Sequence, residues 1–199
     1  THWREVERKY DFGDFNAVMP LLSVPVNGTI VVAGAYKGDY LQYFSERFPT
    51  AHLRGYEPQR EAWEHTRKRL GSKADIVGKG LATDARQVWC GRVNSDGCTM
   101  FALNGEQQFV ETVDVVQEFH GIRDTIDLLV LNCEGSEWAL LPYLMDEMMH
   151  HRIAAMAVQF HPQYVSDARA NRVLALVDEY YDRARFDWPH WVYYTRKGI

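Results

Sequence analysis

The chain has 199 residues, 46% of them apolar and 25% charged, which is enough for one sizeable core and is ordinary for a globular protein. A formal net charge of −5 argues against a dedicated nucleic-acid surface. Three cysteines with no CxxC pair argue against a disulfide framework or a zinc site and favour a reducing, cytoplasmic setting, and no apolar run approaches membrane-spanning length. The start at Thr1 suits a domain cut from a longer chain, and no linker divides residues 1–199, so one domain is expected.

In chain order, apolar runs at Thr29–Ala33, His52–Tyr56, Ala74–Val77, Ile126–Leu131 and Ile153–Phe160 read as strands. Helical patterns lie between and after them at Asp39–Phe48, Arg60–Leu70, Val113–His120, Glu137–His150 and Asp167–Arg185. This alternation predicts βαβ units and a mostly parallel sheet. Two segments break the rhythm. Gln87–Leu103, around the turn sequence NSDG, reads as an inserted β-hairpin. Trp191–Thr195 reads as a last strand, antiparallel to the rest.

The first strand runs into Gly34, Ala35, Tyr36, Lys37 and Gly38, a turn from a buried strand into a helix that leaves backbone open to a ligand. A P-loop would need GxxxxGK before Ser or Thr, and here Lys37 precedes Gly38. A dinucleotide fingerprint would need a third glycine, so a pyrophosphate ligand is disfavoured. Glu57, at the end of the second strand and followed by Pro58, can accept hydrogen bonds from both hydroxyls of a ribose. A glycine turn and a ribose acid without pyrophosphate machinery suit S-adenosylmethionine (SAM).

Two further strand ends are polar. Ile126–Leu131 runs into Asn132, Cys133, Glu134, Gly135, Ser136 and Glu137, and the fifth strand ends on Gln159, Phe160 and His161. Polar groups at the carboxyl ends of central strands face the ligand crevice. Read singly, His161 before a proline is a turn histidine and Glu137 charges a helix start.

With these residues in view, the chain resembles the FkbM-type family of SAM-dependent methyltransferases, through AGAYKGDY, GYEPQ, GKGLATD, IDLLVLNCEGSE, AVQFHP and the RxxxL…W tail. The resemblance spans Thr29 to the C-terminus. It implies the class I methyltransferase fold: Rossmann-like α/β, a seven-stranded mostly parallel sheet with a reversed last strand. It implies that Gly34 to Gly38 surround the methionine part of SAM, that Glu57 and Pro58 meet the ribose, that Gly80, Leu81 and Ala82 lie near the adenine, and that Asn132 and Cys133 contribute.

The implied activity is O-methylation of a sugar hydroxyl, a rhamnose-like deoxysugar for example. The expected partners are a sugar or glycan acceptor and fused glycan-synthesis domains, with no nucleic acid and no membrane span. His161 is the expected base, because its ordinary pKa lies near operating pH. Glu134 would orient it or take the proton. Asn132, Glu134 and His161 could alternatively hold Mg²⁺ or Mn²⁺. Tyr36, Trp138, Tyr164 and Trp188 are candidate walls for a sugar ring.

Ala33 stands where the family carries an acid before the first glycine, and Asn132 and Gln159 stand where Asp and Glu are frequent. A catalytically inactive binding domain and a nicotinamide-dependent oxidoreductase are the alternatives.

Overall fold

The computed structural model describes residues 9–93, 97–101, 107–122, 125–187 and 191–198. Its main sheet has seven strands in the order β10-β11-β9-β8-β1-β2-β3. These are β1 Thr29–Ala33, β2 His52–Tyr56, β3 Asp75–Val77, β8 Ile126–Leu131, β9 Ala155–Gln159, β10 Tyr181–Asp187 and β11 Trp191–Arg196. β11 runs antiparallel to both of its neighbours, and β1 pairs parallel with β2 and β8. Strand order therefore reverses between β1 and β8, and the carboxyl ends of these two strands form the crevice.

β1 reads TIVVA because it is buried on both faces, which removes the need for alternation. Val31 and Ala33 point into one core with α3 Val115–His120, α4 Glu137–Asp146 and α5 Asp167–Tyr180. Ile30 and Val32 point into the other, with α1 Asp39–Arg47 and an amino-terminal strap of Phe15, Val18, Met19 and Leu22. α2 Arg60–Leu70 adds Leu70 to this second core. Tyr40, at the start of α1, is ringed by Phe12, Phe15 and Trp191.

Several expected boundaries move. Val113 and Asp114 do not begin a helix: they end β7 Gln107–Asp114, and the Asp114 carboxylate caps α3 by accepting the Val116 and Gln117 amides. The helix expected over Asp167–Arg185 stops at Tyr180. Tyr181 turns its buried hydroxyl to the Ile153 carbonyl and starts β10, which pairs with β11. Glu137–His150 ends at Asp146 and continues as a separate 3₁₀ turn, Met149–Arg152.

The expected hairpin is present as β5 Gln87–Val93 and β6 Gly97–Thr99, although Asn94–Asp96 of its NSDG turn lie outside the described residues. It belongs to a larger inserted sheet, β4-β7-β5-β6, with β4 Gly80–Ala82 parallel to β7. Cys90 is disulfide-bonded, contrary to the expectation of reduced thiols, so the case for a reducing compartment loses its ground; Cys133 is the free cysteine among the described residues. No helix among the described residues is long and apolar enough to cross a membrane.

β1 and β8 come so close at their ends that a Cβ on Gly34 would overlap the Asn132 carbonyl oxygen, and Gly34 itself has φ +82°. Gly71 also has positive φ, +57°, yet faces open space. Gly34→Ala should therefore cost about 3 kcal/mol or more of stability, whereas Gly71→Ala should cost less, about 1–3 kcal/mol, from its positive-φ backbone alone. Urea unfolding of the two variants measures the difference.

Candidate active site

The turn after β1 is held from three sides. The Gly34 and Ala35 amides both donate to the Tyr56 carbonyl at 3.0 Å. Tyr36 has φ +43°, a conformation unfavourable for a residue with a Cβ. It is fixed by its amide donating to Glu57 Oε2 at 2.7 Å and by the Thr66 hydroxyl donating to its carbonyl. The loop is thus anchored by Glu57, at the end of the neighbouring strand.

Glu57 is 2% exposed, and its other oxygen accepts the Gln59 amide at 2.8 Å. A carboxylate offers about four lone-pair sites, of which the Tyr36 and Gln59 amides and the Gln59 side chain use three, leaving room for a further donor. Burial pushes the carboxyl up to about 7, against the lowering effect of those two amides. Asn132 carries a second unmet acceptor: its Oδ1 is buried and has no hydrogen-bond partner among the described residues. Orphaned buried acceptors of this kind call for a donor from a ligand.

Both groups line the pocket at the β1–β8 crevice. Of the residues expected at the cofactor, Gly34, Ala35, Tyr36, Glu57, Pro58, Gly80, Leu81, Asn132 and Cys133 line it. Gly38 and Ala82 do not. Gly38 instead starts α1 with φ +84° and backs onto Thr66, and Ala82 is buried at the end of β4. Asp39, Tyr40, Gln59 and Ser136 also line the pocket without having been singled out. Cys90, Met100, Val110 and Thr112 come from the inserted sheet, which forms one wall. The Cys133 thiol is raised well above its ordinary value, first by burial and then by Glu137, so it is an inert wall. A buried carboxylate with acceptor capacity left, an amide oxygen seeking a donor and a glycine cradle fit a nucleoside joined to an amino acid, which is the shape of SAM.

Beside this pocket stands a buried histidine–carboxylate pair. Glu137 is wholly buried and accepts three N–H groups: the Gly135 amide at 3.0 Å, the His161 amide at 2.8 Å and His161 Nδ1 at 2.8 Å. A carboxylate only accepts, so Nδ1 carries the proton in the neutral ring and Nε2 then keeps its lone pair; in the imidazolium both nitrogens donate. Nε2 faces Glu134 Oε2 at 3.5 Å. Burial would lower the imidazole pKa, but the hydrogen bond and charge of Glu137, with the charge of Glu134, outweigh it, and the net shift is upward from 6.5. Burial raises Glu134, partly offset by His161.

This corrects two expectations. Glu137, not Glu134, orients His161; the first-turn position that made Glu137 read as a helix charge is also what aims it at the β9 end. A Mg²⁺ or Mn²⁺ site at Asn132, Glu134 and His161 is not supported. The described residues contain no group of three His, Cys, Asp or Glu that could hold an ion. Trp138 is no pocket wall either: it is 1% exposed and donates its indole N–H to the His161 carbonyl at 2.9 Å. Tyr36 and Tyr164 are part-exposed near the site, and Trp188 lies outside the described residues.

No family model matches the chain, and no curated protein matches it. Solved structures do. A fibrillarin in complex with Nop5p aligns with a TM-score of 0.60 at 9% identity, over 98% of this chain and 83% of that one. The fibrillarin of Aeropyrum pernix with natively bound S-adenosyl-L-methionine aligns at 0.54 and 11% identity, over 87% and 69%. An rRNA methylase from Streptococcus thermophilus aligns at 0.50 and 12% identity, over 87% and 89%. The chain has the Rossmann-like class I methyltransferase fold, with a seven-stranded mostly parallel sheet and a reversed last strand.

The same comparison overturns the expected partner set of a sugar or glycan acceptor without nucleic acid. Chains of this fold include rRNA methylases and a fibrillarin bound to Nop5p, so a net charge of −5 does not remove nucleic acid or protein from consideration.

The Glu57 geometry has a measurable pH signature. Its folded carboxyl titrates above the ordinary carboxylate range, so its contribution to stability is present below that range and is lost as pH rises through about 7. Ribose hydroxyls donate best to the ionised form, so SAM affinity should rise as pH rises through about 7. Glu57→Gln should weaken SAM by about 1–3 kcal/mol and flatten this dependence. Calorimetric titrations across that range check both.

Proposed function

We propose that the chain is a SAM-dependent O-methyltransferase in which His161 is the base, oriented by Glu137. The observation that carries this reading is the buried Glu137–His161 Nδ1 contact at 2.8 Å, which turns Nε2 toward Glu134, a residue that lines the pocket suited to SAM. When bound, SAM supplies a methyl group on a sulfonium, whose leaving group is a neutral thioether.

The protein then has two tasks. One is alignment, supported by the buried Glu57 carboxylate and the unpartnered Asn132 Oδ1, both of which line the pocket. The other is the proton of the acceptor hydroxyl, a poor nucleophile unless deprotonated as it attacks. His161 Nε2 can accept that proton, and the imidazolium so formed is stabilised by Glu137 on one side and Glu134 on the other.

The finer reading, a sugar hydroxyl, rests on the FkbM-type resemblance carried by AGAYKGDY, GYEPQ, IDLLVLNCEGSE and AVQFHP. With the exclusion of nucleic acid withdrawn, the ribose hydroxyls of RNA belong in the same acceptor screen. Incubation with deuterium-labelled SAM and mass-spectrometric detection of methyl addition tests the assignment; a chain that binds SAM but yields no S-adenosylhomocysteine with any hydroxyl acceptor is a binding domain instead.

His161→Ala should lower turnover by about 10²–10⁴-fold with SAM affinity nearly intact. In the wild type, turnover should fall as pH drops through an imidazole pKa above 6.5. Glu137→Gln removes a charge that raises that pKa, so it should shift the acid limb to lower pH and reduce turnover. A pH–rate profile of each variant, alongside its melting temperature, separates these effects from misfolding.

A further inference from the structure

Two aromatic rings lie over the turn that carries Glu134. Phe101, just beyond β6, and Tyr164, in the 3₁₀ turn Pro162–Tyr164, stack at 5.8 Å between centroids and 28° between planes. Both pack against the bare backbone of Gly135, where a Cβ would stand 2.6 Å from the Tyr164 ring and 2.9 Å from the Phe101 ring. The Tyr164 ring is 6.4 Å from that of His161.

Phe101 is fixed to this turn. The buried Thr99 hydroxyl donates to the Glu134 carbonyl at 2.6 Å and accepts the Phe101 amide at 3.2 Å. One side chain thus sets the register between the inserted sheet and the Glu134 turn. Phe101 nevertheless remains 47% exposed. A large apolar ring anchored in this way, yet open to solvent beside a base, is unlike a stray surface phenylalanine and suits a recognition surface.

We propose that Phe101 and Tyr164 form the platform on which a ring of the acceptor lies, so that a hydroxyl on that ring, or on the sugar attached to it, reaches His161 Nε2 and Glu134. This rests on the O-methyltransferase reading above and adds to it a class of acceptor: a hydroxyl carried by a flat-faced ring unit rather than by an open chain. The two rings stack too closely for a third to enter between them, so the acceptor lies on the outer face of the pair. Stacking on an aromatic side chain accepts the π-face of a base as readily as any apolar ring face, so the platform selects for ring shape and leaves hydroxyl choice to His161.

The test uses the whole chain loaded with S-adenosylhomocysteine and titrated, by saturation-transfer NMR, with adenosine, methyl α-L-rhamnopyranoside and the open-chain polyol sorbitol. At least one of the two ring compounds should bind while sorbitol does not, and which one binds identifies the ring source. Phe101→Ala should weaken that ring compound by about tenfold or more, Phe101→Trp should retain it, and both variants should bind S-adenosylhomocysteine as the wild type does. Rings that bind no better than sorbitol, or an affinity unchanged in Phe101→Ala, would overturn the platform. If S-adenosylhomocysteine fails to bind the wild type while the ring preference and its loss in Phe101→Ala persist, the platform stands and the methyltransferase reading falls.

Discussion

The site depends on one buried carboxylate. Glu137 collects three N–H groups: one from the turn after β8, one from the backbone beyond β9 and one from the imidazole of His161. A carboxylate with no water and no such partners would cost several kcal/mol to bury, so the sequence around it is arranged to meet its demands. Gly135 adopts φ +104° with its amide on Oε2, and Glu134 adopts φ +49° just before it. His161, in turn, is locked by the Trp138 indole on its carbonyl. The result joins two neighbouring strand ends into one unit in which Nε2 faces the part-exposed Glu134 carboxylate.

The other half of the crevice repeats the same logic with Glu57. It anchors the unfavourable Tyr36 backbone and still keeps acceptor capacity at the pocket. The inserted sheet supplies the remaining wall through Leu81, Cys90, Val110 and Thr112, and ties itself to the Glu134 turn through Thr99. The core sheet and the insertion thus build the pocket together, and under the proposed platform the end of the insertion and the turn after β9 would also meet the acceptor. Variation in acceptor among chains of this fold can therefore reside in insertions, with the sheet unchanged.

Much of this was legible in the amino-acid sequence, for identifiable reasons. TIVVA and IDLLVL are continuous apolar runs, and such runs mark strands buried on both faces. Glu57 and Asn132 sit at strand ends, which is where the crevice must be, and both line it. β10 was hidden because the helical spacing of Leu174, Val177 and Tyr181 continues past the point where pairing with β11 takes over. β7 was hidden because its alternation is short, buried Val110 and Thr112 with the exposed Glu111 between them, and because Val113 and Asp114 also read as a helix start. The roles of Glu137 and Phe101 depend on contacts across 24 and 34 positions, respectively to His161 and to the Gly135 backbone, and no local pattern encodes these. The acid at the first turn of α4 was visible; its aim was not.

The central claim is that Glu137 fixes His161 as the Nδ1–H tautomer with Nε2 free to accept a proton. Nitrogen-15 NMR of the histidine rings, at a pH above the His161 pKa, reads this directly. The wild-type chain should give a His161 spectrum with Nδ1 protonated and Nε2 unprotonated, lost in Glu137→Gln by a change in tautomer balance. A His161 ring protonated on Nε2, or averaging freely between tautomers in the wild-type chain, would contradict it.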